Sequence, residues 1–256
     1  MDAVRHLAVC TCSYDTAHES VADQVETKIA DLRAALVNAD PRVSLFITDD
    51  PSRPGFAAAA REGARRAGGE LVLVPPSVSS SRGGKGHALR TALAAALATT
   101  PTPGAFVYVN LNLKVPARFI AAALAQASGV DVVVGSRSPH DGGSARGQGA
   151  LGMLKSRVWS SLARAALPQL AGPRPSFWDP NAPLKLMSEA AARLIVDEGR
   201  IDGVGFDAEW LCLWLRAGLR VEVIPIVWEQ RAGSRPPWGL VPEMLLELAA
   251  TRRRLS

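Results

Sequence analysis

Short, almost wholly apolar runs alternate with helix-patterned stretches along the first half of this chain, and that alternation narrows the folds open to it. The runs are 6–13 (HLAVCTCS), 42–48 (RVSLFIT), 70–74 (ELVLV), 105–109 (AFVYV) and 130–134 (VDVVV). A strand with one wet face alternates apolar and polar residues, so uninterrupted apolar runs imply strands covered on both faces. After the first run, Val21, Val25, Ile29, Leu32 and Leu36 recur at spacings of three and four, the period of one helix face. Helices are expected over about 55–67, 86–98 and 117–127 between the later runs. Such a succession builds an α/β domain, a mostly parallel sheet flanked by helices.

The second half is less regular. Residues 138–152 (SPHDGGSARGQGALG) are glycine-rich without apolar periodicity and are expected to form a flexible lid loop. Beyond it come a helix at 153–167, a Pro-rich irregular stretch at 173–182 and a strand at 184–187. Helices at 189–197 and 207–217, a strand at 219–226 and a last helix at about 240–253 follow. With no internal repeat and no linker, residues 1–256 read as a single domain. A nucleotide-binding half would run to about 137 and an acceptor half from 153.

In parallel α/β sheets, ligands bind outside the carboxyl ends of the strands. The polar residues just beyond those ends are Tyr14, Asp15, Asp49, Asp50, Lys85, Asn110, Asn112, Ser136 and Arg137. The net charge of +5 suits anionic substrates, but the basic residues are scattered and not interleaved with aromatics, which argues against nucleic acid. Three cysteines cannot build a disulfide framework, and Cys10 and Cys12, two apart in a strand, share one packing face. Four scattered histidines lack zinc-ligand spacing. No apolar run approaches the ~20 residues of a membrane span and the N-terminus lacks a signal-peptide pattern, so a cytoplasmic protein without a transmembrane segment is expected.

Several segments, taken in order, carry a family likeness. They are 9–19 (VCTCSYDTAHE), 46–52 (FITDDPS), 84–90 (GKGHALR), 107–116 (VYVNLNLKVP) and Gly135-Ser136-Arg137. Further along stand 179–186 (DPNAPLKL), 206–209 (FDAE), 223–228 (VIPIVW) and Gly233-Ser234. From about residue 7 to 234 the chain resembles the family 2 inverting glycosyltransferases, nearest the dolichyl-phosphate mannose/glucose synthase-like branch. The resemblance implies a GT-A fold and a UDP- or GDP-sugar donor. It puts Tyr14 in the nucleotide-binding turn, Asp49 or Asp50 at the base or ribose, and Asp207 as catalytic base.

Residue chemistry agrees with those roles. A strand-end carboxylate can accept hydrogen bonds from a base edge and from ribose hydroxyls. Glycines flanking Lys85 would let backbone amides approach a diphosphate while the ammonium adds a point charge. Asp207 and Glu209, two apart at a helix start, diverge around its axis, so only one can face the acceptor; the bland alternative is a pair of carboxylates favoured by the helix dipole. A lipid-phosphate acceptor would need no base. The stripe of Trp159, Leu162, Ala166 and Leu170 would then suit a prenyl chain, or simply pack in the core.

The departure is at Asn110-Leu111-Asn112, where the family carries the paired aspartates that hold Mg²⁺ or Mn²⁺. Carboxamides hold hard divalent ions more weakly than carboxylates, so reduced metal dependence is expected, with Asn112 the residual candidate ligand. Lys85, Arg137, Lys185 and Arg231 are the cations available to stabilise the leaving diphosphate instead. Two rival readings are a catalytically degenerate nucleotide-sugar-binding protein and a nucleotidyltransferase. The second lacks that class's Gly-rich N-terminal signature.

Overall fold

The computed structural model describes residues 4–12, 20–37, 41–48, 55–75, 84–111, 115–147, 149–171, 177–229 and 240–255. Seven strands form one sheet in the order β3-β2-β1-β4-β7-β5-β8. They are β1 (His6–Cys12), β2 (Arg42–Thr48), β3 (Glu70–Val74), β4 (Ala105–Val109), β5 (Val132–Ser136), β7 (Leu184–Met187) and β8 (Val221–Pro225). All pairings are parallel except those of β7, which runs antiparallel to both β4 and β5. A second small sheet pairs β6 (Ser144–Arg146) with β9 (Val227–Glu229).

Period-two alternation divides the core between the two sheet faces. Leu7, Val9, Leu45, Ile47, Val107 and Val109 pack on one face with α1 (Val21–Leu36), α2 (Phe56–Ala67) and α4 (Arg118–Gln126). Ala8, Cys10, Cys12, Phe46, Phe106 and Tyr108 face the other side. There α3 (Lys85–Leu97), α6 (Glu189–Glu198) and α7 (Phe206–Arg216) bury Leu89, Ile195, Trp210 and Trp214 against them. Cys10 and Cys12 are thus packing residues on one face, as their spacing implies.

Three stretches differ from the sequence reading. The fifth strand starts at Val132 rather than 130, because Gly129 turns with φ +67° and the Asp131 carboxylate caps the Arg220 amide at 2.9 Å. It runs on through Gly135, where a Cβ would lie 2.8 Å from Ile226 Cγ2 and 3.0 Å from Leu184 Cβ. Crowding of neighbouring strands explains a glycine inside this strand.

The stretch expected as a flexible loop, 138–152, instead carries a 3₁₀ turn (Pro139–Asp141), β6 and the start of α5 (Ala150–Ala166). Gly143 lies flat against the Ser136 carbonyl, which leaves no room for a side chain. The strand expected over 219–226 is the shorter β8, and the chain then passes to β9 at Ile226, whose amide still donates to Ser136 O at 2.9 Å while its carbonyl accepts from Ser144 N at 2.9 Å. The last helix, α8 (Leu240–Leu255), ends beside α7.

Candidate active site

The antiparallel β7 decides what reaches the carboxyl edge. Its first residues arrive where the parallel strands end, with Lys185 opposite both Tyr108 and Val134. Paired residues share a face, so the Lys185 ammonium lies over the Tyr108 ring, 5.2 Å from its centroid. Lys185 is fully buried. It donates to Ala182 O at 2.6 Å and pairs with the Asp207 carboxylate at the start of α7. Stripping water from a buried ammonium costs several kcal/mol, which the carboxylate, the carbonyl and the ring face offset.

Burial pushes Asp207 above its ordinary 3.8 even though Lys185, Lys85 and Arg137 pull it down. It also depresses Lys185 against the pull of Asp207. Asp207 is therefore a stronger base than an exposed aspartate.

Lys85 opens α3 and donates to the carboxamide oxygen of Asn110 at 2.9 Å. The same oxygen accepts from the Tyr108 hydroxyl at 3.3 Å. Burial raises the Tyr108 pKa, so the phenol stays a neutral donor. Its ring carries both lysines, with Lys85 Nζ 5.6 Å from the centroid. Arg137 binds Asp179 through its amide at 2.9 Å and its side-chain fork at 2.8 and 2.7 Å, and reaches Asn181 O at 3.0 Å. Burial drives Asp179 upward, but Arg137 outweighs it and holds the carboxyl below 3.8.

Lys85, Asn110, Lys185 and Asp207 thus converge, with the Arg137–Asp179 pair near enough to act on Asp207 and Lys185 electrostatically. Glu209 does not join them. Its oxygens accept from Arg200 N at 3.0 Å, from Ile201 N at 3.1 Å and from the Arg254 guanidinium, beneath the loop that precedes α7. Tyr14, Asp49, Asp50, Asn112 and Arg231 lie outside the described residues. Tyr108 was not singled out as a site residue from sequence. Tyr108's signal was a lone hydroxyl near the end of an otherwise apolar strand.

The glycines around Lys85 allow two readings, a cradle for a diphosphate or structural glycines before a helix, and they do at least the second. Gly86 N donates to Gly203 O at 3.2 Å and His87 N to Asp202 O at 3.1 Å, so those amides are spent within the protein. A Cβ on Gly84 would meet the Asp202 carbonyl. One on Gly86 would meet the Ile201 carbonyl and lie 2.8 Å from Phe206 Cβ. Arg90 grips the same loop at Ile201 O and Asp202, while Glu247 of α8 accepts from Gly203 N at 2.9 Å and Gly205 N at 2.8 Å. Loop 199–205 therefore fixes the start of α3, which carries Lys85, relative to the start of α7, which carries Asp207. Gly86→Ala should cost about 1–3 kcal/mol of stability by overpacking this joint. Urea unfolding would check it, and an unchanged midpoint would mean that the joint can relax.

The apolar stripe, three residues on α5 and Leu170 in the 3₁₀ turn (Pro168–Ala171) that follows it, is largely core. Leu170 is fully buried, and Trp159 and Ala166 pack against the core, while Leu162 stays exposed.

Among the described residues, the site's carboxylates are not arranged to hold a divalent cation. Asp179 and Asp207 are paired with Arg137 and Lys185, and the Asn110 oxygen already accepts from an ammonium. Among the described residues no group of three or more His, Cys, Asp or Glu side chains is placed to hold a metal ion. None of their helices is long and apolar enough to cross a membrane.

A mostly parallel sheet of this order, with helices on both faces and one antiparallel strand carrying a lysine to its carboxyl edge, is a GT-A-like α/β fold. Its solved relatives include glucosyl-3-phosphoglycerate synthase from Mycobacterium tuberculosis. The UDP complex of that enzyme is 19% identical, with 98% of this chain and 80% of that chain covered at a TM-score of 0.63. Its complex with Mn²⁺, UDP-glucose and glycerol 3-phosphate matches over the same shares at 19% identity and a TM-score of 0.62. A complex with Mg²⁺ and UDP covers 98% of this chain and 79% of that one at 19% identity, with a TM-score of 0.61. No family model and no curated protein matches the chain.

Proposed function

We propose that this protein is an inverting glycosyltransferase that takes a hexosyl group from a uridine- or guanosine-diphosphate sugar. The observation that carries the reading is the meeting of three cations and one desolvated carboxylate at the carboxyl edge of a GT-A-like sheet. Lys85, Lys185 and Arg137 supply positive charge for the diphosphate, and Tyr14, Asp49 and Asp50 serve the nucleotide end. Arg231 joins the phosphate cations. Asp207 accepts the proton of an acceptor hydroxyl as its oxygen attacks the anomeric carbon. The bond to the diphosphate breaks on the opposite face, which inverts the configuration.

A raised Asp207 favours a small hydroxyl acceptor over a lipid phosphate, which would need no base. Glu209 acts by holding loop 200–201 rather than by touching substrate. Metal dependence is reduced, because positions 110 and 112 are carboxamides and the surrounding carboxylates are paired with cations. Three buried cysteine thiols suit a cytoplasmic location.

Thermal shift with UDP, GDP, ADP and TDP tests the donor site. One or more should stabilise the fold, by about 2.7 kcal/mol at 100 times the dissociation constant. No shift with any of them at millimolar concentration would remove the nucleotide from this account.

A further inference from the structure

We propose that the Lys85–Asn110 pair stands in for the divalent ion of this fold, so that nucleoside diphosphates bind here without metal. The inference rests on the nucleotide-sugar reading above and deepens it. Its ground is the residue pair itself. In the resembled family, position 110 is a carboxylate whose charge attracts the ion. Here it is a carboxamide whose oxygen holds the Lys85 ammonium at 2.9 Å, steadied by the Tyr108 hydroxyl at 3.3 Å.

Charge balance supports the exchange. Two aspartates with a bound divalent ion sum to zero, and two asparagines without an ion also sum to zero. Replacing both carboxylates at 110 and 112 therefore changes the net charge by the same amount as the ion would. A diphosphate would meet a site of the same net charge in either arrangement. The identity of the side chain matters as well. Aspartate at 110 would neutralise the ammonium it holds, whereas asparagine positions it through a hydrogen bond and contributes no negative charge.

Lys185 and Arg137 are each held against a carboxylate, Asp207 and Asp179. The start of α3 is fixed against loop 199–205 by Gly86 N to Gly203 O and His87 N to Asp202 O, which pre-sets the lysine before any ligand arrives. Ordering a flexible ammonium only on binding would cost affinity, and this anchoring reduces that cost.

Calorimetric titration of UDP and of GDP into the full chain decides the matter, once in EDTA and once with millimolar Mn²⁺. In wild type, the dissociation constant of whichever nucleotide binds should change by less than about threefold between the two buffers. Lys85→Ala should weaken binding in EDTA by about tenfold or more, the loss of one charge-assisted contact. The double variant Asn110→Asp/Asn112→Asp should also weaken in EDTA and recover with Mn²⁺.

Wild-type binding that vanishes in EDTA and returns with Mn²⁺ would overturn this inference while leaving the donor reading intact. Absence of binding in both buffers, by protein that unfolds cooperatively, would overturn the donor reading instead. The wild-type comparison needs no variant to fold.

Discussion

Asp207→Asn is expected to lower sugar transfer by about 10²–10⁴-fold while nucleotide affinity stays nearly constant. The carboxylate sits at the first turn of α7 beside the fully buried Lys185. Burial raises its pKa above 3.8, and a base serves best when its pKa approaches the working pH. The rate should therefore fall on the acid side through a group titrating above the ordinary aspartate value. That limb should disappear in the asparagine variant. Asparagine leaves the Lys185 ammonium buried without its counter-charge, so thermal unfolding must accompany the kinetics. Activity is then compared per folded molecule. Glu209→Gln is the control: tied to Arg200, Ile201 and Arg254, it should cost stability and leave the rate per folded molecule unchanged. An equal kinetic loss there would move the base to Glu209.

Arg137→Ala should destabilise the fold by about 3–5 kcal/mol, the effect of stranding one member of a buried ion pair. Asp179 is 6% exposed and takes three hydrogen bonds from Arg137, one from the amide and two from the guanidinium, so truncation removes its paired charge and two of the three donors and leaves only the amide. The loss should also depend on pH. Asp179 titrates lower in the folded chain than its ordinary 3.8, so its contribution is complete above 3.8 and fades as pH falls through the folded value. The gap between wild type and variant should be full near neutrality and narrow in strong acid. Urea unfolding at neutral and acid pH measures it, and a variant within 1 kcal/mol of wild type at neutrality would show that the pair is not structural.

Local pattern carried much of the fold. The strands at Arg42–Thr48, Glu70–Val74, Ala105–Val109 and Leu184–Met187 begin and end where apolar composition places them. Direction was not legible in the last of these. LKLM reads the same for either polarity, and only its pairing with β4 and β5 makes it antiparallel. Yet that polarity is what brings Lys185 to the site.

Gly86 illustrates a second limit. A glycine beside a lysine reads as room for a phosphate, but the neighbour that excludes a side chain is the Ile201 carbonyl, 115 residues away in sequence. Divergence of Asp207 from Glu209 followed from helix geometry. Which of the two meets a lysine depended on tertiary packing that no local pattern encodes. Gly143 looked like part of a loop because its close approach to Ser136 and Arg137 is a contact made only in the folded chain.

The most direct test of the account is donor turnover by wild type. Uridine- and guanosine-diphosphate hexoses would be offered with small hydroxyl acceptors, and the anomeric signal followed by proton NMR. The account expects nucleoside diphosphate to be released from at least one donor and the transferred hexose to carry the opposite anomeric configuration. Nucleotide binding without release from any donor would contradict it and make the protein a binder of nucleotide sugars rather than a transferase; a product of retained configuration would contradict the single displacement at Asp207.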